Sequence, residues 1–448
     1  MSDSNSQGAT QLPKGLLPAM WGQWFGFMLD SYDMGLIVVM APILTKIFTS
    51  GKGSAAWQYT VILLTYSMTM AARPLGSAIF GHFADKLGRR MLLIVTMSGV
   101  GVCSLLAAFL PTYASIGPAA WFLLALLRLV MGVFFGGEYA AGHTFAIEFS
   151  PNKIRGRVGG FVQSGFPFGY VLGAAVVAIL SSTLGNADML TVGWRYCFAT
   201  GIFPVFAGLG ILYFTRESPL YEKAHEKGDM DKSPFFSLFK PPALWNFLQV
   251  FFLMCGLFLT DYAIYGYLPK ILTRGGKGFD TTTFAWIYGF ALFLAFLGYI
   301  AYGWLSDYVG RRKLTLIYCP IIVVFGIPAF YFLHDSVMAL DLRMALFATV
   351  LITMLKLAWG MLPAYLSERF PTKRRAVGLG FGYSSGALLM SWFPLYILWV
   401  HKIPFIGTIE GGELWLSPAV IMVIGAAITF VAMYFGPETK GMSLDDVK

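Results

Sequence analysis

Long apolar blocks separated by short charged loops dominate the chain. Twelve such blocks can be drawn, at 19–47, 57–82, 90–110, 119–148, 158–183, 196–214, 244–272, 282–306, 313–333, 341–368, 375–400 and 414–436. About 20 mostly apolar residues are enough for a helix to cross the hydrocarbon core of a bilayer. Inside lipid a backbone must satisfy its own hydrogen bonds, so each block predicts a membrane-spanning helix. The longest polar stretch, 215–243, divides six blocks from six. The expected organisation is a cytoplasmic tail (1–18), a six-helix lobe (19–214), a cytoplasmic inter-lobe linker (215–243), a second six-helix lobe (244–436) and a second cytoplasmic tail (437–448).

The two halves repeat one another. Gly81-His-Phe-Ala-Asp85-Lys-Leu-Gly88-Arg89-Arg90 returns as Gly303-Trp-Leu-Ser-Asp307-Tyr-Val-Gly310-Arg311-Arg312, each time between the second and third blocks of its half. Glu148-Phe-Ser-Pro151-Asn-Lys-Ile-Arg155 returns as Glu368-Arg-Phe-Pro371-Thr-Lys-Arg-Arg375, after the fourth. An internal repeat of six spans is the layout of a carrier whose site lies between two lobes. The expected fold is therefore all-α: twelve transmembrane helices in two six-helix lobes.

Composition strengthens this picture. Hydrophobic residues make up 57% of the chain and charged residues only 12%, against roughly 25% charged in soluble domains. The net charge of +9 would suggest nucleic acid on a soluble protein, but here the basic residues fall in loops. With the N-terminus inside, 21 of the 32 Lys and Arg lie on the inner side, 8 on the outer side and 3 within spans. That bias predicts a cell-membrane protein with both termini cytoplasmic. Cys103, Cys197, Cys255 and Cys319 are isolated, without a CxxC or Cys/His cluster, so neither a metal site nor a disulfide framework is expected. No nucleophile–base pair or phosphate-binding loop points to an enzyme or a cofactor.

The twice-present Gly-x-x-x-Asp-x-x-Gly-Arg-Arg loop resembles the signature of the major facilitator superfamily, and the resemblance runs over about residues 15–445. Arg128-Leu-Val-Met-Gly132, Gly136-Gly137-Glu138-Tyr139, Glu148, Arg155-Gly156 and Gln163-Ser164-Gly165 together resemble the sialate:proton symporter family. Asp30-Ser31-Tyr32-Asp33 resembles that family and the aromatic-acid:proton symporters too. Arg216-Glu217-Ser218-Pro219 and Pro437-Glu438-Thr439-Lys440-Gly441 are similar to sugar-porter half-endings, which are shared too widely to name a substrate. The resemblance implies that Asp85, Arg89 and Arg90, with Asp307, Arg311 and Arg312, hold the cytoplasmic side shut in the outward-open state. Glu148 with Arg155, and Glu368 with Arg375, would extend that gating network.

Charges inside the spans carry the candidate chemistry. Each costs at least about 2.5–3.5 kcal/mol near the bilayer centre and therefore faces a shared interior or a water path. Asp30 and Asp33 share one face of the first span at i, i+3. So close together, they are expected to perturb one another and to offer a proton-coupling carboxylate, unless one only pairs with Arg128 or Lys356. Asp261 is their counterpart in the second half, and Glu138 is a fourth acid with a family counterpart. Arg128 is a bidentate partner for a carboxylate, of the solute or of Asp30 or Asp33. Lys356 is too deep to reach the surface. Arg73 either lines the inner cavity or braces a lobe. Tyr265 and Gln163 are polar enough to touch a solute, and His143 reads as a hydrogen-bonded packing residue.

These residues suit a proton-coupled symporter of a small organic anion, a carboxylate, working by alternating access as a monomer in the lipid bilayer. Its partners would be that solute and protons, with no nucleic acid, metal or cofactor. A sugar, osmolyte or drug carrier of the same fold is the second reading, although few Asn or Gln occupy the spans. A non-transporting sensor on the carrier fold is the third.

Overall fold

The computed structural model describes residue 13 and residues 15–444, apart from 52–53, 203–204, 207–208, 211–212, 214–216, 218–221, 223–225, 227–233, 275–276 and 412. Most of the linker expected at 215–243 therefore lies outside the described residues. Helix is the dominant element throughout, and no strand occurs among the described residues.

The first span is a bent pair, Leu16–Val39 and Ala41–Phe48, turned by 65° at the break. One continuous helix was expected over 19–47. Pro42, in the first turn of the second segment, has no N–H to continue the ladder, which is why the chain turns there. Spans two to five are Ala55–Leu87, Arg89–Ala108, Ala119–Glu148 and Arg155–Asp188, the last broken at Gly185 with φ 75°. Trp194–Ala199 begins the sixth. The second lobe holds Ala243–Thr273, Thr281–Val309, Arg311–Met338, Leu342–Ser367, Arg375–His401 and Leu416–Phe435. Among the described residues nine helices are long and apolar enough to cross a membrane, ten with the bent pair. The 33-residue second span, which carries Arg73, is outside that count.

Glycine decides how closely the helices meet. A Cβ at Gly132 or Gly136 in the fourth span would collide with the Thr69 or Arg73 carbonyl of the second. Between the lobes, the fifth span lies along the eighth and the eleventh along the second. A Cβ at Gly303 would sit 2.5 Å from the Gly156 carbonyl oxygen and 2.6 Å from Gly160 Cα. Gly81, its counterpart in the first lobe, faces Val377 of the eleventh span. The first glycine of each repeated loop is thus a place where one lobe touches the other, as small residues allow in membrane helix packing.

The tenth span is not one helix. It runs as Leu342–Met354, then a 3₁₀ turn at Leu357–Met361, then Leu362–Ser367. Lys356 stands at the break with φ −120° and ψ 12°. A break inside a membrane must satisfy its freed backbone groups from elsewhere. Tyr318 does so from the ninth span: its hydroxyl donates to the Met354 carbonyl and accepts from the Leu357 N–H at 3.1 Å. Tyr318→Phe leaves both groups unpaired and is expected to cost about 1–3 kcal/mol, seen as a lower thermal midpoint of the purified protein in detergent. An unchanged midpoint would show that the ring, not the hydroxyl, supports the break.

Candidate functional site

Asp30 and Asp33 do not bond to one another, and each meets its own arginine, because an opposite charge in contact outweighs a like charge one turn away. Asp30 Oδ1 accepts from Arg73 Nη2 at 2.6 Å. Asp33 Oδ2 accepts from Arg128 Nη1, and its Oδ1 accepts from Ser104 Oγ at 2.9 Å. All four charged side chains are buried, with Arg73 packed over Phe135 and Arg128 over Phe198. Arg73 thus joins the second span to the first through Asp30. It also lies within electrostatic reach of Tyr66, Tyr262 and Tyr383, which wall the central hollow.

The second lobe carries the matching pair. Lys356 Nζ is 3.6 Å from Asp261 Oδ1 and 3.1 Å above the Tyr265 ring. Asp33 and Arg128 are 95 residues apart, and so are Asp261 and Lys356. Both pairs join the first span of a lobe to its fourth. They are symmetry mates with different fates. The first is sealed by Ser104 and Phe198, whereas the second is too long for a full-strength hydrogen bond and leaves Lys356 Nζ without a hydrogen-bond partner.

Asp261 opens onto a narrow hollow of about 10 Å³ between the lobes, room for about one water in this closed state. Its walls are Tyr66, Met70 and the side chains of Gln163 and Phe166 from the first lobe, facing Phe258, Tyr262, Tyr299, Trp359 and Tyr383 from the second. Lys356 and Tyr265 stand directly behind Asp261. The Tyr262 and Tyr265 hydroxyls have no hydrogen-bond partner in the structure. Arg128 and Asp33 do not line this hollow.

The two ends of the molecule differ. On the face carrying the termini, Glu148 is paired with Arg89 and with Arg375 of the other lobe at 3.2 Å. Glu368 is paired with Arg155 of the other lobe at 3.0 Å and with Arg311 at 3.3 Å. The expected pairs, Glu148 with Arg155 and Glu368 with Arg375, are thus exchanged across the lobes. The two-fold relation lays equivalent loops against each other, so each acid meets the other lobe's arginine. Asp307 adds bonds from the Gly156 and Arg157 N–H groups at 2.7 and 3.0 Å. The tail joins in, with Arg155 donating to Met442 O and Arg375 to Leu444 O, both at 2.9 Å. Arg90 and Arg312 instead donate to Tyr213 O and Tyr434 O of their own lobes. The Asp85 side chain lies outside the described residues.

Glu217 and Glu438 were read only as parts of family endings. Their carboxylates accept from the backbone N–H groups of Arg90 (3.1 Å) and Arg311 (2.8 Å), at the starts of the third and ninth spans. There they favour the positive end of each helix dipole. Their equal positions after the sixth and twelfth spans were the available signal.

The opposite face opens into a groove of about 490 Å³ between the lobes, lined in part by Lys46, Tyr59, Lys270 and Phe279. An aromatic layer separates groove from hollow. Tyr59 donates to Gly266 O at 3.0 Å, and Tyr66 meets Tyr262 edge-on at 5.9 Å. The hollow is closed at both ends, by ion pairs on the termini face and by rings on the other.

The Major Facilitator Superfamily profile matches residues 23–394. The chain belongs to the major facilitator superfamily. This facilitator is 28% identical to the inner membrane metabolite transport protein YhjE of Escherichia coli K12, over 94% of this chain and 93% of that one. It is 27% identical to the proline/betaine transporter of the same organism, covering 94% of this chain and 83% of the relative. It is also 27% identical to that organism's sialic acid transporter NanX, covering 82% and 83%. Among solved structures, the proton:xylose symporter XylE superposes with a TM-score of 0.72 at 17% identity, over 96% of this chain and 98% of that one. That likeness carries the fold, twelve helices in two lobes. The facilitator is a multi-pass membrane protein and a secondary transporter, not an enzyme. Relatives named for sialic acid and for proline/betaine stand side by side, so the narrower sialate resemblance is not decided by them.

Removing one partner of a buried ion pair leaves the other charge uncompensated, at about 3–5 kcal/mol. Asp33→Asn is therefore expected to lower the thermal midpoint sharply, and Asp33→Asn with Arg128→Gln to regain most of the loss. A double variant as unstable as the single one would show that these residues do not act as a pair.

Proposed function

We propose that this facilitator is a proton-coupled symporter of a small carboxylate-bearing solute, working by alternating access. The observation that carries this reading is the loose Asp261–Lys356 pair at the wall of a closed central hollow. A protonated Asp261 releases Lys356, whose ammonium then takes the solute carboxylate. With proton and anion both bound, the occluded hollow holds no uncompensated charge, which lowers the cost of moving it through the membrane. With one alone, a buried charge is left without its counter-ion. Tyr265 steadies Lys356 from below, and Gln163 offers an amide to the solute from the facing lobe.

In this reading Asp30 with Arg73 tunes the first-lobe wall, and Asp33 with Arg128 braces that lobe. The Glu148, Glu368, Asp307, Arg155, Arg311 and Arg375 network is the gate on the termini side. The Lys and Arg bias supports a cytoplasmic setting for that side. The aromatic layer of Tyr59, Tyr66 and Tyr262 is then the outer gate, below an outward vestibule.

A second reading rests on the ring content of the hollow. Tyr66, Phe258, Tyr262, Tyr299, Trp359 and Tyr383 surround Asp261, and aromatic faces with a carboxylate suit a quaternary ammonium. A zwitterionic osmolyte would present that group together with a carboxylate for Lys356, and several relatives are named for such solutes.

Uptake into proteoliposomes tests both readings, with labelled monocarboxylates, betaine-type zwitterions, sialic acid and neutral sugars, with and without an inward proton gradient. A carboxylate-bearing solute is expected to accumulate only with the gradient. Asp261→Asn should abolish the response to the gradient, and Lys356→Gln should raise KM at least about tenfold, as for a lost charge-assisted contact of about 1.5–3 kcal/mol. Transport of neutral sugars alone removes the carboxylate claim. Accumulation indifferent to the gradient removes the proton claim.

A further inference from the structure

A second polar cluster lies in the first lobe, apart from the ion pairs. Gln23 of the first span, Glu138 and His143 of the fourth and Gln163 of the fifth are each at most 1% exposed. Gln23 Nε2 donates to Glu138 Oε1 at 2.7 Å and lies 3.1 Å from His143 Nδ1. An amide nitrogen has only hydrogens to give, so Nδ1 is the acceptor and the ring proton sits on Nε2. His143 also lies beside the side chain of Gln163, which lines the hollow. His143 Nε2–H and Gln163 Oε1, a donor and an acceptor, are buried without a hydrogen-bond partner. A polar track therefore runs from the hollow through Gln163, His143 and Gln23 to Glu138.

The backbone is shaped around this track. A Cβ at Gly26 would lie 2.8 Å from Glu138 Oε1, and one at Gly142 would collide with Gln23 Oε1. Tyr139 stacks on His143 at 3.8 Å and on Tyr383 of the facing lobe at 3.5 Å, with Phe27 edge-on to the imidazole. The charged groups facing Glu138 are Asp30 and Arg73, and Arg73 is already taken by Asp30. Glu138 has no basic partner of its own. Its Oε2 has no hydrogen-bond partner either. A carboxylate so deeply buried and held by one neutral amide is stable only if a proton is readily available to it.

We propose that Glu138 is a proton-binding site of the carrier, with Gln23 and His143 as positioning residues that connect it to the hollow. The inference rests on the proton-coupled reading above and adds a proton site in the lobe opposite Asp261. The exchange is simple in atoms: one proton from water in the hollow is gained on a Glu138 carboxylate oxygen, and the same proton is lost when the site faces the other side.

Infrared titration of the purified, solute-free carrier in lipid tests it directly, since a protonated carboxyl has a carbonyl band of its own. Glu138→Gln is expected to remove one component of that band. Gln23→Leu and His143→Phe should each move the midpoint of that component by about one pH unit or more, the size of a lost hydrogen bond to a buried carboxyl. If Gln23→Leu does not fold, Gly142→Ala, which crowds Gln23 from the next helix, should give the same displacement. A band unchanged by Glu138→Gln, or a midpoint untouched by both Gln23→Leu and His143→Phe, overturns the assignment. The proton-coupled reading fails separately, by gradient-independent accumulation in the wild-type protein.

Discussion

Charge inside a membrane has to be cancelled locally, and every other feature of this carrier follows from how that is done. A lone ion in hydrocarbon costs several kcal/mol, while a contact pair recovers most of that cost. The first lobe cancels its charges twice over, Asp30 against Arg73 and Asp33 against Arg128. The second lobe repeats the second of these pairs as Asp261 and Lys356, and there leaves it loose. Two lobes built on one plan thus divide the work. One holds its two aspartate–arginine pairs in contact, and the other keeps a cation and an acid at the edge of a hollow.

The looseness has a local cause. Arg128 lies on an unbroken helix with a hydroxyl and a ring closing its pair. Lys356 stands at a break in its helix, with Tyr318 stitching the open backbone and the face of Tyr265 beneath the ammonium. A break in the helix sets the ammonium beside the wall of the hollow without exposing the unpaired backbone to lipid, which would otherwise forbid such a turn.

Closure uses the same currency at the surface. Glu148 and Glu368 each hold an arginine from either lobe, so opening the termini face breaks equivalent bonds on both sides of the pseudo-two-fold axis. Glycines at the lobe contact allow the helices to touch through backbone. On the other face the lobes meet through rings, with Tyr59 bonded to Gly266 O and Tyr66 edge-on to Tyr262.

The sequence by itself determined the number and order of the spans, the two-lobe repeat and the membrane setting. Those features depend on local runs of apolar residues and on motifs read within a few residues of one another. It also marked Asp30, Asp33, Arg73, Arg128, Asp261 and Lys356, because a charge in an apolar block is conspicuous wherever it falls. Partners were decided only by tertiary structure: spacing along one helix suggested an Asp30–Asp33 dyad, but helices folded from 43 and 95 residues away brought stronger partners to each. The identical 95-residue spacing of the two acid–base pairs was present in the sequence, yet only the fold shows why it recurs. Gln23 and Tyr318 drew no attention beforehand, and Glu217 and Glu438 only as parts of family endings. Two are neutral and raise no electrostatic alarm, two sit in polar loops where a carboxylate is ordinary, and their roles exist only where distant backbone happens to need a partner.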